Sequence, residues 1–134
     1  MKKIFLLFTL IVSLFLVSCS GNSATTSLTY SPTVISAEVG KSMMDNNPDI
    51  VLVDVRTLSE YTTYHIPNAI LLPVDNVSVD ASTVLPDKSK IYIIYCNSGN
   101  RSATASSILS LMGYPFVYDM GGIIDWPYET VTGE

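Results

Sequence analysis

The sequence predicts an α/β domain with a central parallel β-sheet flanked by α-helices, and three observations carry that expectation. Short apolar runs alternate with stretches of helical spacing along the 134-residue chain. Two of those runs, Ile50 to Val55 and Ile91 to Tyr95, are almost continuously apolar and rich in β-branched residues, as strands buried on both faces of a parallel sheet are. The second run ends in Cys96, passes through a short Asn/Ser/Gly loop and opens into a helical pattern.

In chain order, residues 1–18 read as an export signal. Met1-Lys2-Lys3 forms a charged start and Ile4 to Val17 an apolar stretch. That stretch is short for a bilayer span, which takes about 20 apolar residues. It ends in Leu16-Val17-Ser18-Cys19, which resembles the bacterial lipobox and implies a lipoprotein whose acylated Cys19 becomes the mature N-terminus. An ordinary cleaved signal and an uncleaved anchor are the alternatives. The expected location is the periplasmic or extracellular side of a bacterial envelope, membrane-attached through Cys19. Acyl chains supply about 0.8 kcal/mol per buried methylene, so they hold without help from the protein surface. Lys2 and Lys3 would leave with the signal, moving the net charge from −5 to −7. Such a balance does not fit nucleic acid, which needs a clustered basic surface. With Cys19 acylated, Cys96 is the remaining thiol, and a domain without a disulfide is held by its core.

Residues 19–29 form the lipidated cysteine and a tether of small polar residues without periodicity. Residues 30–134 form one domain, expected to act as a monomer. Thr33-Val34-Ile35 reads as a short strand, and Ser36 can cap a helix from Ala37 to about Asp45, stopped by Asn46-Asn47-Pro48. After the strand Ile50 to Val55, Thr57 or Ser59 caps a brief helix through Tyr64. Ala69 to Leu72 is the next strand, followed by the central strand Ile91 to Tyr95. A helix from Arg101 to Met112 carries Ala103, Ala105, Ile108, Leu109 and Met112 at helical spacing, with Gly113 as its stop. Phe116 to Tyr118 makes the last strand before Gly121-Gly122 and a helical end around Ile124 to Trp126.

The run through Cys96 carries the chemistry. A strand-loop-helix turn aims successive backbone N–H groups and the positive end of a helix dipole at the loop's first residue, where they stabilise a thiolate. The thiolate is the nucleophile, so Cys96 is a candidate for sulfur chemistry; the bland reading is a small buried hydrophobe finishing a strand. Gly99 lets the backbone turn tightly, while Asn97, Ser98 and Asn100 are small enough to close a ring around an anion. Arg101 can fold its guanidinium back to the loop or to Asp54, or lie solvated at the surface. Asp54 and Cys96 both fall at carboxyl ends of strands, where parallel sheets bind ligands.

Together these segments resemble the rhodanese family of sulfurtransferases from about Thr33 to Glu129. Asp54-Val55-Arg56 with Glu60, His65-Ile66-Pro67-Asn68-Ala69, Cys96-Asn97-Ser98-Gly99-Asn100-Arg101, and Gly121-Gly122-Ile123 with Trp126 match its motifs in order. The resemblance implies that Cys96 is catalytic and carries a sulfane sulfur as a persulfide, taken from thiosulfate or a polysulfide and passed to a thiol or cyanide. It implies binding of a small sulfur-containing anion by residues 97–101, and no cofactor or metal. A low-turnover persulfide carrier or interaction module is the alternative, and a redox or arsenate-handling thiol a third. Four residues separate Cys96 from Arg101, one fewer than in cysteine phosphatases and arsenate reductases, which favours sulfur transfer. Asp54 is expected to orient Arg101 or cap loop N–H groups, and Arg56 to pair with Glu60 beside the site. His65, the only histidine, falls where the family has a structural turn. Two departures stand out: Asn97 occupies a position that is often basic in thiosulfate-using members, and Asn68 one that is usually glycine.

Overall fold

Alternation along one strand divides the core in two. The computed structural model describes residues 26–133, so the signal at 1–18 and the lipidation site Cys19 lie outside the described residues. Strand β4 (Tyr92–Cys96) is buried throughout and sits at the centre of a five-stranded sheet, with β5 (Val117–Gly122) and β2 (Val51–Asp54) on its two sides. Beyond them lie β1 (Thr33–Val34) next to β5 and β3 (Ile70–Leu71) next to β2, and every pairing is parallel. Because side chains alternate along a strand, Tyr92, Ile94 and Cys96 pack into one apolar cluster while Ile93 and Tyr95 pack into another.

The first cluster is closed by α3 (Val77–Val84) and α4 (Asn100–Leu111), through Val77, Ala81, Ala105 and Leu109. On the other face, α1 (Ala37–Asn46) adds Met43 and Met44, and α2 (Leu58–Thr63) adds Tyr61. Ser36 caps α1 by accepting from the Val39 N–H. Thr57, not Ser59, caps α2, with Glu60 closing a reciprocal capping box. Asn68 takes the left-handed conformation, φ 65°, that the turn before β3 needs and that asparagine tolerates.

Several boundaries depart from the sequence expectations. Helix α3 and the 3₁₀ turn before it, Val74–Asn76, were not expected: Val77-Ser78-Val79 and Ser82-Thr83-Val84 have weak helix propensity, and packing of Val77 and Ala81 overrides it. Helix α4 starts at Asn100 rather than Arg101, and its buried face is Ser102, Ala105, Ser106, Leu109 and Ser110, with Ala103 exposed. Strand β5 runs on through Gly121 and Gly122 because its pairing with β4 continues past a register shift at Ile94/Tyr95, bringing Gly122 beside Cys96.

Candidate active site

The chain leaves β2 for β3 on one side and β4 for β5 on the other, so the connections diverge between the carboxyl ends of β2 and β4. A crevice at such a point is where open parallel sheets take their ligands. Asp54 ends β2, and Cys96 ends β4 in register with Gly122.

Cys96 is 1% exposed and packs within the core cluster, so the buried-hydrophobe reading describes part of its role. Its sulfur also accepts a hydrogen bond from the Gly99 N–H at 3.0 Å. An N–H aimed at sulfur from a turn is the contact that holds negative charge there. Gly99 achieves it at φ 106°, a conformation that favours glycine, and stands at the N-cap of α4. Its carbonyl accepts from Ser102 Oγ at 2.9 Å, pinning the loop to the first helical turn. The N–H groups of that turn have no carbonyl partner within the helix and face the loop end of the dipole.

Gly122 backs the loop from β5. A Cβ there would lie 2.7 Å from Ser98 Cα and 2.8 Å from the Asn97 carbonyl carbon, and closer still to the Asn97 oxygen. That carbonyl accepts from the Ile124 N–H at 3.3 Å. Asn97 is half-buried, and Ser98 and Asn100 are exposed.

The ion pairs around the loop differ from the expected ones. Asp54 neither orients Arg101 nor caps the loop: its carboxylate accepts from Arg56 Nε at 3.0 Å and Nη2 at 2.7 Å, and from the Arg56 backbone N–H at 2.9 Å. Two residues apart at a strand's end, the two groups lie on one side of the chain and meet first. Both are buried, and Arg56 goes on to donate to the Tyr64 carbonyl at 2.7 Å, tying the end of α2 to β2. Burial works against the Arg56 charge, but the Asp54 hydrogen bonds and charge more than offset it and raise its pKa. Glu60, expected to pair with Arg56, instead projects from α2 to α4. It accepts from both terminal nitrogens of Arg101, at 2.8 and 2.7 Å. The Arg101 hydrogen bonds hold the Glu60 carboxyl down to about 2, and the same contact raises Arg101.

His65 is structural, as its position in the turn suggested. It stacks on Tyr61 with ring centroids 3.8 Å apart, its Nδ1 lies 2.9 Å from the Tyr61 carbonyl, and its backbone bridges to Val131. Tyr95, the last but one residue of β4, does more than pack: its hydroxyl accepts from the Ile66 N–H at 3.1 Å, tying that turn to the central strand. Burial, with the Asp54 charge beside it, pushes its phenol up, so the hydroxyl stays neutral. A pocket of about 410 Å³ opens elsewhere, against Met44, Leu52, Ile66 and Trp126, and no residue of the Cys96 loop lines it.

The model of the rhodanese-like domain matches residues 36–127, which contain the whole crevice. The chain belongs to the rhodanese family. The thiosulfate sulfurtransferase PspE of Escherichia coli is 38% identical over 81 residues, covering 60% of this chain and 78% of that protein. A sulfurtransferase of Allochromatium vinosum is 36% identical over 93 residues, covering 69% and 85%. Among solved structures, a rhodanese with anions from E. coli superposes with a TM-score of 0.59 at 37% identity, over 63% of this chain and 99% of that one. The central parallel sheet flanked by helices is therefore a rhodanese fold, and the E. coli and A. vinosum relatives are sulfurtransferases.

Proposed function

We propose that this rhodanese is an exported, lipid-anchored sulfurtransferase that moves a sulfane sulfur through a persulfide on Cys96. The observation that carries the reading is the Gly99 N–H on Cys96 Sγ, at the loop end of the central strand. The Cys96 thiolate attacks the sulfane sulfur of thiosulfate or a polysulfide. One S–S bond forms as the donor's own bond to that sulfur breaks, and sulfite or a shortened chain leaves with the electron pair. An acceptor thiolate or cyanide then attacks the outer sulfur of Cys96–S–S⁻ and returns the Cys96 thiolate. Charge on sulfur is conserved at each step, so the loop's task is to hold an anion, which fixed N–H donors do without reorganising. Backbone N–H groups of residues 97–101 are assigned that task. Asp54 and Arg56 tie the carboxyl end of β2 to the end of α2 beside the crevice.

Export and attachment through Cys19 rest on the charged and apolar start and the lipobox-like Leu16-Val17-Ser18-Cys19.

The test is intact mass of the purified full-length chain after incubation with thiosulfate or polysulfide. Wild type is expected to gain one sulfur and lose it to cyanide, and Cys96→Ser to gain none. A Cys96→Ser protein that still transfers sulfur to cyanide refutes the mechanism. Loading without release favours a carrier over an enzyme.

A further inference from the structure

We infer that Glu60 sets donor selectivity by neutralising the crevice's cation, so that the site favours sulfane donors of low charge over the thiosulfate dianion. The inference rests on the sulfurtransferase reading above and names the donor class of that same site.

Arg101 is the group expected to attract an anionic donor, yet each of its terminal nitrogens donates to an oxygen of Glu60, so that its positive charge is already matched by a carboxylate although other N–H groups remain. The carboxylate is itself fixed: Glu60 Oε2 also accepts from the Thr57 N–H and hydroxyl, each at 2.9 Å, as part of the α2 capping box. Each side chain of the pair is one-third exposed, and its hydrogen bonds hold it in this arrangement.

No other cation replaces Arg101 among the described residues. Arg56 is held by Asp54, and Lys41 pairs with Asp45 on α1 at 2.6 Å. Lys88 donates to the Met112 carbonyl at the far end of α4, roughly 18 Å from the loop for a helix of this length. Lys90 precedes the amino end of β4, a full strand away from Cys96. What remains at the loop is backbone dipoles, which serve one transferring sulfur but carry no net charge to balance a sulfonate group.

Two donors that deliver the same sulfur separate charge from geometry. Thiosulfate gives Cys96–S–S⁻ and sulfite; methanethiosulfonate, a monoanion, gives Cys96–S–S⁻ and methanesulfinate. Each reaction forms one S–S bond and breaks one S–S bond, with charge conserved. Glu60→Gln removes the negative charge while keeping an amide that can close the capping box.

With cyanide as acceptor, Glu60→Gln is expected to raise kcat/KM for thiosulfate about three- to tenfold more than for methanethiosulfonate, the scale of one extra charge at a partly screened site. The gain should fall in KM. A second measurement needs no variant: salt should lower the wild-type KM for thiosulfate by screening repulsion. Equal changes for the two donors, which a displaced loop would produce, overturn the inference, as does no change in their ratio or a wild-type KM that rises with salt. If neither donor loads sulfur on wild-type Cys96, by intact mass, the sulfurtransferase reading fails and this inference with it. Loading by both with an unaltered ratio overturns the inference alone.

Discussion

Arg56 and Arg101 each face one carboxylate across about the same distance, 2.7 Å at the closest nitrogen, but in different surroundings. Arg56 and Asp54 are 1% and 0% exposed, so removing one partner strands a buried charge. Arg101 and Glu60 are each 33% exposed, and water screens much of what they would lose. In urea unfolding at neutral pH, Arg56→Ala is expected to cost about 3–5 kcal/mol and Arg101→Ala no more than about 1 kcal/mol. Comparable losses would mean that burial does not separate the two pairs. Acid gives a second check on the exposed pair. The Glu60 carboxyl titrates at about 2 when folded, against 4.5 as its ordinary value. A lowered carboxyl contributes stability that is full above the unfolded pKa and is lost as pH falls through the folded one. The stability gap between wild type and Arg101→Ala should therefore hold at neutral pH and narrow as acid protonates the folded-state Glu60 carboxyl, closing toward about 2; the Thr57 hydrogen bonds that also lower this carboxyl are common to both proteins.

At the scale of elements, the loop has no rigidity of its own; it is clamped between the first turn of α4 and the glycine end of β5. Gly122→Ala places a methyl group against the Asn97 and Ser98 backbone, which has no flexible side chain to give way. Displacement near 1 Å at reacting atoms can cost about a hundredfold, and sulfur loading of Gly122→Ala, followed by mass, should fall on that scale. Gly40→Ala is the control, since its methyl meets mainly the side chain of Met120, which can move, and loading should persist. Undiminished loading in Gly122→Ala would show that the loop is not held from behind. This clamp marks the limit of what could be read from sequence. The strand-loop-helix at Cys96 and the doubly buried strand runs were legible because period and composition are local properties. The Gly121-Gly122 motif was visible too, but not its reason, because the contact with Asn97 depends on a register between β4 and β5. The same holds for charge. Asp54, Arg56, Glu60 and Arg101 are all legible in the sequence as residues near one site, yet Asp54 pairs with Arg56 and Glu60 with Arg101, since partners are chosen by which side chains turn inward. Helix α3 was illegible for a different reason: β-branched and small polar residues give no helical signal until Val77 and Ala81 are packed under α4.

For the whole molecule, the remaining question is how a domain with this surface would stay at a membrane. No helix among the described residues is long and apolar enough to cross one. The basic side chains of that part are largely engaged, Lys41 with Asp45, Arg56 with Asp54 and Arg101 with Glu60, and acidic residues outnumber them. Anionic lipid would repel rather than hold such a surface. Attachment would then fall to residues 1–25, and the proposal that Cys19 is acylated there makes a prediction independent of the sulfur chemistry. Expressed as the full chain in a bacterium, wild type should sediment with membranes and resist a high-salt wash, because acyl chains are held by apolar burial and not by screened charge. Cys19→Ala should move to the soluble fraction or remain unprocessed. In either form it should still gain one sulfur at Cys96, since the loop, Gly122 and the Glu60–Arg101 pair all lie within the folded domain. Wild type recovered in the soluble fraction would end the anchoring proposal. A Cys19→Ala protein still in the salt-washed membranes at its full unprocessed mass would not decide between the two anchors by location alone; mass would, because an acylated wild type must have lost residues 1–18 and gained lipid, whereas an anchor made of Ile4 to Val17 must retain them.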